Sequence, residues 1–192
     1  MKKFLTVALA GVLAASMLFT GCSKKEESKV PDKLIVGTNA EFPPFEYMND
    51  KKQPDGFDIA MIKEIGKRMD KKVEIQNMEF KSLIGAMESN SINTIIAGMT
   101  KTKERQKSVD FSDSYYTSEN VVIVKKDKVN DFTSADSLAK QTVGTQKGSV
   151  QETIAKKQLS KASVVSLASN GEMINELKSG QIQAVVLEKA IA

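Results

Sequence analysis

Histidine and tryptophan are absent from the 192-residue sequence, and cysteine occurs once, at position 22. The lack of histidine excludes Ser-His-Asp triads, imidazole metal ligands and histidine general bases. One cysteine cannot form an intramolecular disulfide. Lys and Arg exceed Asp and Glu by only four charges, scattered along the chain, which gives no indication of nucleic-acid binding. We therefore expect a protein without a metal or another cofactor and with no nucleic acid as a partner.

The first 32 residues have the composition of a targeting segment followed by a tether. Two lysines precede a mostly apolar run at 4–19 that is short for a membrane span, and two small residues come directly before Cys22. This arrangement resembles a bacterial lipoprotein signal, with a signal peptide at 1–21 and a lipid such as palmitate on Cys22 as a membrane anchor. A plain secretory signal and an uncleaved membrane anchor are the alternatives, and all three place the folded part outside the cytoplasm. The polar residues 22–32 predict a tether.

Alternating strand and helix patterns after the tether predict an α/β fold. The order strand, helix, strand, helix, strand is typical of a parallel sheet covered by helices. The predicted elements are a strand at 34–36, a helix at 58–69, a strand at 73–75, a helix at 82–88 and a buried strand at 92–96. We expect Asp58 to cap the first helix. The buried face of that helix is predicted to consist of Ile59, Ile62, Ile65 and Met69.

The same alternation begins again near residue 126. A run of valines and an isoleucine within 119–125 predicts a strand that joins the two units. The second unit is predicted to contain a helix at 134–140, a strand at 142–145, a helix at 148–159, a strand at 163–167, a helix at 169–180 that a capping box begins, and a strand at 182–187. We therefore divide the folded part into a first lobe at 33–119, a hinge strand at 120–125 and a second lobe at 126–192. No helix pattern covers the final strand, so we expect the fold to be C-terminally truncated.

Four loops leave the carboxyl ends of predicted strands, where α/β sheets bind ligands. In order, the loops carry Asn39, Glu41 and Phe42; Gly98, Thr100 and Arg105; Gln146, Ser149 and Val150; and Glu188. Arg105 offers a planar fork suited to a carboxylate, and the third loop opens a helix whose amides favour an anion. A cleft with one arginine, one carboxylate and aromatic walls fits a ligand that has an α-carboxylate and an α-ammonium.

Seven stretches of the chain occur together in an order that is typical of one family. They are VGTNAEFPPFE at 36–46, GFDI at 56–59, AGMTKTKER at 97–105, VDFS at 109–112, YY at 115–116, VGTQKGSVQ at 143–151 and AVVLE at 184–188. With these stretches the chain resembles the bacterial extracellular solute-binding proteins of family 3, which serve polar amino acid ABC transporters. The resemblance runs from about Leu34 to the end of the chain. It implies a two-lobed, periplasmic-binding-protein-like fold of type II whose lobes close on the ligand.

The resemblance implies a role for the residues at the charged end of the ligand. Arg105 matches the arginine that binds the ligand carboxylate, helped by the amides of Thr100 and Val150. The Gly98 carbonyl and the Thr100 hydroxyl match contacts to the ligand ammonium. Glu188 matches the second-lobe acid that pairs with the same ammonium, where aspartate is more usual.

The remaining candidates match positions at the side-chain end of the ligand. Phe42 matches an aromatic residue that lines the ligand site. The polar residues Asn39, Glu41 and Gln146 match positions that contact the ligand side chain and select it. Their chemistry favours arginine, lysine or glutamine as the free amino acid ligand. In the alternative interpretation Glu41 points to solvent.

These features together predict a membrane-anchored, non-enzymatic protein that captures a polar amino acid as a monomer and delivers it to the membrane subunits of an ABC permease. One alternative is a dehydratase-like enzyme on the same scaffold, with Glu41 or Glu188 as a general acid. Another is a ligand-sensing module. The sequence has no feature that supports catalysis, and a lipid anchor favours capture at the membrane.

Overall fold

A computed structural model describes residues 31–192. The predicted signal peptide and the lipidation site at Cys22 therefore lie outside the described residues, as does most of the tether. The described residues form one compact unit. Its first half, which we call the first lobe, contains β1 (Lys33–Thr38), β2 (Glu41–Phe42), β3 (Glu46–Met48), β4 (Pro54–Asp55), α1 (Phe57–Arg68), β5 (Lys72–Asn77), α2 (Leu83–Glu88) and β6 (Thr94–Ile95).

A parallel three-stranded sheet in the order β5-β1-β6 forms the centre of the first lobe. The predicted alternation of strands and helices is therefore confirmed. Helices pack against this sheet through two apolar clusters, one formed by Leu34, Val36, Ile62 and Ile96 and the other by Leu83, Ile92 and Ala97. A small antiparallel sheet in the order β2-β3-β4 lies beside it and carries the aromatic loop that follows β1.

The strand predicted at 92–96 is shorter in the structure. Ile92 and Ile96 are buried as expected, but only Thr94–Ile95 pairs with β1. The side chain of Asn93 takes over part of the pairing, because its Oδ1 accepts from the Ile35 N–H at 2.9 Å and its Nδ2 donates to a β1 carbonyl at 2.9 Å. A side chain that hydrogen-bonds the neighbouring backbone competes with the ladder and limits the strand.

The predicted cap at Asp58 is wrong, because α1 begins at Phe57, with Gly56 at the cap position, two residues before Asp58. The backbone N–H groups of Phe57 and Asp58 donate to the carbonyls of Pro44 and Phe45 at 3.0 and 2.8 Å. Loop carbonyls thus accept from the first N–H groups of the helix, which usually donate to a capping side chain. The Asp58 carboxylate is left to face the interior of the lobe.

The predicted buried face of α1 is only half correct. Ile59 and Ile62 are buried, whereas Ile65 and Met69 are 39% and 41% exposed. The sheet under α1 has only three strands, and β5 is its edge. The last turn of the helix therefore extends past the apolar surface that could cover these two side chains.

The second half, which we call the second lobe, contains β7 (Asn120–Val124), β8 (Thr142–Gln146), α3 (Val150–Gln158), β9 (Ser163–Leu167), α4 (Asn170–Ser179) and β10 (Ala184–Glu188). These strands form one sheet in the order β7-β10-β8-β9, in which β7 is antiparallel to β10 and the other pairs are parallel. The helix predicted at 134–140 is reduced to a 3₁₀ turn at Asp136–Leu138.

The predicted ends of the other two helices of the second lobe, α3 and α4, are confirmed. The Ser149 hydroxyl accepts from the Glu152 N–H at the start of α3, and the Ser169 hydroxyl accepts from the Glu172 N–H at the start of α4. Gly180 ends α4 in the left-handed conformation with φ of 83°. Apolar clusters on both sides of the sheet, around Val143 and around Val185, hold the helices in place.

Within residues 31–192, no helix has the length and apolarity that membrane crossing requires. The same residues contain no group of three or more His, Cys, Asp or Glu side chains arranged to hold a metal ion.

Candidate functional site

Arg105 lies between the two lobes and binds the backbone of both. Its Nη1 donates to the Thr100 carbonyl at 2.7 Å, and its Nη2 donates to the Gly148 carbonyl of the second lobe at 3.0 Å. The guanidinium carbon stands 5.3 Å from the centre of the Phe80 ring, within cation–π range. Burial lowers the pKa of Arg105 from its ordinary value, without taking it out of the charged form at physiological pH.

Gly98 forms a tight turn directly above the first-lobe sheet. Its φ of +53° lies in the left-handed region, and a Cβ at this position would stand 3.2 Å from the Phe42 ring. The Gly98 N–H donates to Asp58 Oδ2 at 3.1 Å, which fixes the turn from below. Thr100 follows on the exposed side of the same loop.

Asn39 and Gln146 meet across the interface between the lobes. The Gln146 amide donates to Asn39 Oδ1 at 2.8 Å, and both residues are buried. The Asn39 amide also donates to the Met78 carbonyl at 3.0 Å. The structure thus brings together Asn39 and Gln146, which are both predicted to contact the ligand side chain, and joins them by a hydrogen bond.

Glu41 and Asn170 form a second connection between the lobes. The Asn170 N–H, at the start of α4, donates to Glu41 Oε2 at 3.0 Å, and the Asn170 amide donates to the Glu41 carbonyl at 3.0 Å. A carboxylate at a helix N-terminus is favoured by the free amides and the helix dipole. The alternative in which Glu41 points to solvent is therefore wrong.

Glu188 is half-buried at the end of β10 and faces the first lobe. Burial raises its pKa, and hydrogen bonds from Ser118 and Gln151 partly oppose that effect. The Gln151 amide donates to Glu188 Oε1 at 3.3 Å and to Asn120 Oδ1 at 2.8 Å. The acid is therefore oriented by its own lobe.

The start of α3 supplies the remaining predicted residues. The Ser149 hydroxyl is occupied by the helix, since it accepts from the Glu152 N–H and donates to the Gln146 carbonyl at 2.7 Å. Val150 is half-buried and points toward the first lobe.

Two adjoining cavities lie between the lobes. The smaller, of about 20 Å³, is lined by every residue of the predicted site except Glu41, and also by Glu46, Phe80, Ala97 and Gln151. The larger, of about 450 Å³, opens beside it and is lined by the segment from Phe111 to Ser118. Both cavities share five site residues, namely Phe42, Gly98, Thr100, Val150 and Glu188. Nine of the ten predicted residues thus line one narrow cavity, which adjoins a larger one on one side.

Comparison with known proteins identifies the family. Residues 34–151 match the bacterial extracellular solute-binding proteins, family 3. The chain belongs to this family.

Individual members of the family are similar over most of their length. The chain is 35% identical to the arginine-binding extracellular protein ArtP of Bacillus subtilis over 197 residues, covering 100% of this chain and 75% of ArtP. Among solved structures, the amino acid ABC transporter substrate-binding protein AbpA of Streptococcus pneumoniae bound to L-arginine has 42% identity and a TM-score of 0.80, covering 83% of this chain and 69% of AbpA.

A third relative bears on the enzyme alternative. The ancestral amino acid-binding protein AncCDT-1, a precursor of cyclohexadienyl dehydratase, has 35% identity and a TM-score of 0.80, covering 84% of this chain and 72% of that protein. The predicted two-lobed, type II periplasmic-binding-protein fold of this family 3 protein is confirmed by these likenesses.

Several residues at the site of this family 3 protein have no role in the sequence prediction. Glu46, Asp58 and Gln151 lie within the seven family-typical stretches, but the sequence predicts none of the contacts that they make in the structure. No sequence pattern indicates that Glu46 faces inward, because burial does not alternate along β3: Glu46 is buried, Tyr47 is half-buried and Met48 is exposed. No local pattern indicates Asn170, whose partner is 129 residues away.

Proposed function

We propose that this family 3 protein binds a free amino acid with a basic side chain, arginine first, between its two lobes and delivers it to an ABC permease. The observation that carries the proposal is that Arg105 and Glu188, from different lobes and of opposite charge, line the same small cavity. An α-carboxylate and an α-ammonium are the ligand groups that complement this pair. Of the relatives, ArtP is an arginine-binding protein, and AbpA has been solved bound to L-arginine.

In this proposal the ligand carboxylate replaces backbone carbonyls as the partner of Arg105. The guanidinium donates to the Thr100 and Gly148 carbonyls and stands over Phe80, so it is already oriented in a fixed plane. A preoriented guanidinium loses little side-chain entropy when it donates two hydrogen bonds to a carboxylate. The Gly98 turn and Thr100 meet the ammonium, together with Glu188.

The side chain of the ligand lies toward Asn39, Gln146 and Phe42 in the proposal. The hydrogen bond between these two amides can be exchanged for contacts to a guanidinium, an ammonium or an amide, which is why lysine and glutamine are candidates besides arginine. Glu41 is assigned to holding the lobes together, through Asn170, because its carboxylate is already engaged there.

The proposal includes attachment to the membrane through lipid on Cys22 and action as a monomer without turnover. One lipidated cysteine would keep the protein next to its permease without a spanning helix. Mass spectrometry of the membrane fraction of a bacterial host expressing the full chain tests this attachment. A Cys22→Ser variant found in the membrane to the same extent would contradict it.

Isothermal calorimetry of the full chain with the Cys22→Ser change tests the ligand. We expect saturable binding of L-arginine and a loss of at least 100-fold in Arg105→Ala, since a buried carboxylate is left without its cation. Lys103→Ala, in the same loop but exposed, is the matched control. Unchanged arginine affinity in Arg105→Ala would refute the site, and consumption of prephenate-like acids would favour the enzyme alternative.

A further inference from the structure

Two acidic side chains lie buried beneath the Gly98 turn. Glu46 in β3 is 1% exposed, and Asp58 in α1 is 0% exposed. Asp58 Oδ2 accepts two hydrogen bonds, from the Gly98 N–H at 3.1 Å and from the Tyr115 hydroxyl at 2.8 Å. Neither acid takes part in an ion pair within residues 31–192.

The other carboxyl oxygens of this pair have no donor in the described part of the chain. They are Asp58 Oδ1 and Glu46 Oε2. Two neighbouring buried carboxylates that each keep an oxygen without a donor are strongly unfavourable, because each charge loses its hydration and repels the other. One proton placed between the two acids turns one of them into a donor and satisfies both.

The charged groups around Glu46 favour this arrangement. Burial, followed by the charge and hydrogen bond of Asp58 and by the charge of Glu188, raises the pKa of Glu46 to about 10. Tyr115 faces the pair with a neutral hydroxyl, and Arg105 lines the same small cavity with its donors directed to backbone carbonyls. Two carboxylates, Asp58 and Glu188, therefore act against ionisation of Glu46.

The same pair supports the turn that the proposed function assigns to the ligand ammonium. Glu46 Oε1 would stand 3.7 Å from a Cβ on Gly98, and Asp58 holds the Gly98 amide. Because φ at Gly98 is +53°, that hydrogen bond helps to keep the peptide in a conformation that few residues adopt.

We propose that Glu46 and Asp58 share one proton and act as a positioning pair for ligand binding. Protonated Glu46 donates to Asp58, and Asp58 holds the Gly98 amide so that the turn meets the ligand. The link to the ligand rests on the proposed function, whereas the shared proton and the hold on Gly98 stand on the structure of the first lobe alone.

Thermal unfolding between pH 6 and pH 8.5 tests the shared proton, using the full chain with Cys22→Ser as the parent. The native state keeps a proton on Glu46 that the unfolded chain releases near its ordinary pKa of 4.5, so the stability of the parent falls as pH rises through this range. Glu46→Gln carries a permanent donor for Asp58 and escapes this loss. We expect its Tm to fall less with pH than that of the parent, while the exposed control Glu88→Gln follows the parent. Equal slopes in all three proteins would overturn the proposal.

Hydrogen exchange tests the hold on Gly98 without any ligand. In Asp58→Ala we expect the amide of Gly98 to exchange at least 10-fold faster, and in Asp58→Asn, whose amide oxygen still accepts, to stay near the parent rate. Arginine affinity, measured by calorimetry, should follow the same order. An unchanged exchange rate of the Gly98 amide in a folded Asp58→Ala variant would overturn the positioning role. If that variant does not fold, the same exchange measurement on Tyr115→Phe and the pH comparison of Glu46→Gln test the proposal instead. Absence of arginine binding in the parent would refute the proposed ligand. The pH dependence of Tm and the hydrogen exchange of Gly98 need no ligand and would still test the pair.

Discussion

The N–H of Asn170 and the carboxylate of Glu41 meet at 3.0 Å and connect the start of α4 to the loop after β1. The Asn170 amide returns a second hydrogen bond to the Glu41 carbonyl at 3.0 Å. Neither residue lines the two cavities, but Glu41 directly precedes Phe42, which lines both, so this contact joins the lobes next to the space that the predicted site surrounds. Glu41 therefore joins the lobes in the structure, in addition to any contact it makes with a ligand.

We predict that Glu41→Ala weakens the binding of arginine and of glutamine by the same factor. A hydrogen bond to a charged group contributes about 1.5–3 kcal/mol, so the affinity should fall about 10- to 100-fold as the closed state loses population. Calorimetry with both amino acids measures this, with Glu88→Ala as the exposed control. If Glu41 reads the ligand side chain, the two affinities will change by different factors instead.

A methyl group at Gly98 should damage both the turn and the site. With φ of +53° and the Phe42 ring 3.2 Å from the added Cβ, Gly98→Ala should cost about 1–2 kcal/mol of unfolding free energy and lower arginine affinity. Gly85→Ala is the matched control, because its Cβ would meet nothing within 4 Å in a helix, and we expect it to stabilise the fold slightly. Chemical denaturation compares the two variants, and a Gly98→Ala protein as stable as Gly85→Ala would contradict the strained turn.

Glu152 should stabilise the loop that holds Arg105, and this effect should disappear in acid. Its burial acts to raise the pKa, but hydrogen bonds from Lys156, the Ser166 hydroxyl and the Gly148 N–H lower it to about 2. A lowered pKa means that the stabilisation is complete above the unfolded value of 4.5 and is lost as pH falls toward 2.

Glu152→Gln should therefore be less stable than the parent by about 2 kcal/mol at pH 7. The difference should shrink as pH falls from 4.5 toward 2, because the unfolded parent then takes up a proton on Glu152 that the native state, with its lowered pKa, does not. Denaturation curves at pH 7 and pH 3 give the two differences. A gap that stays the same at both pH values would show that the carboxylate charge is not the cause.

Gln151 should keep Glu188 ionised and oriented. Burial raises the pKa of Glu188, and the Gln151 amide opposes this with a 3.3 Å hydrogen bond. In Gln151→Leu the pKa should rise further, so arginine affinity should fall about fivefold at pH 5.5, a loss of about 1 kcal/mol, and less at pH 8. Calorimetry at both pH values measures the difference, and a loss independent of pH would assign Gln151 a packing role alone.

Much of the fold could be predicted because the relevant forces act locally along the chain. The caps at Ser149 and Ser169 need only the next three residues, and the left-handed Gly180 needs only its own missing Cβ. Asp58 shows the limit of such reasoning. Its position suits a cap, but the helix begins before it, where the carbonyls of Pro44 and Phe45 accept from the N–H groups of Phe57 and Asp58. Only the folded loop places these carbonyls there.

The sequence by itself determined the alternation of strands and helices, the loops at the strand ends and membership of the family, because apolar periodicity and short motifs encode these features. The tertiary structure alone decided which side chains meet across the cleft. Three pairs of side chains come into contact only after separate elements have packed. They are Glu41 with Asn170, Asn39 with Gln146, and Glu46 with Asp58. The physical reason is that the partners of a buried polar group are selected by proximity and desolvation in the folded state, and for Glu41 and Asn170 they are 129 residues apart in the chain.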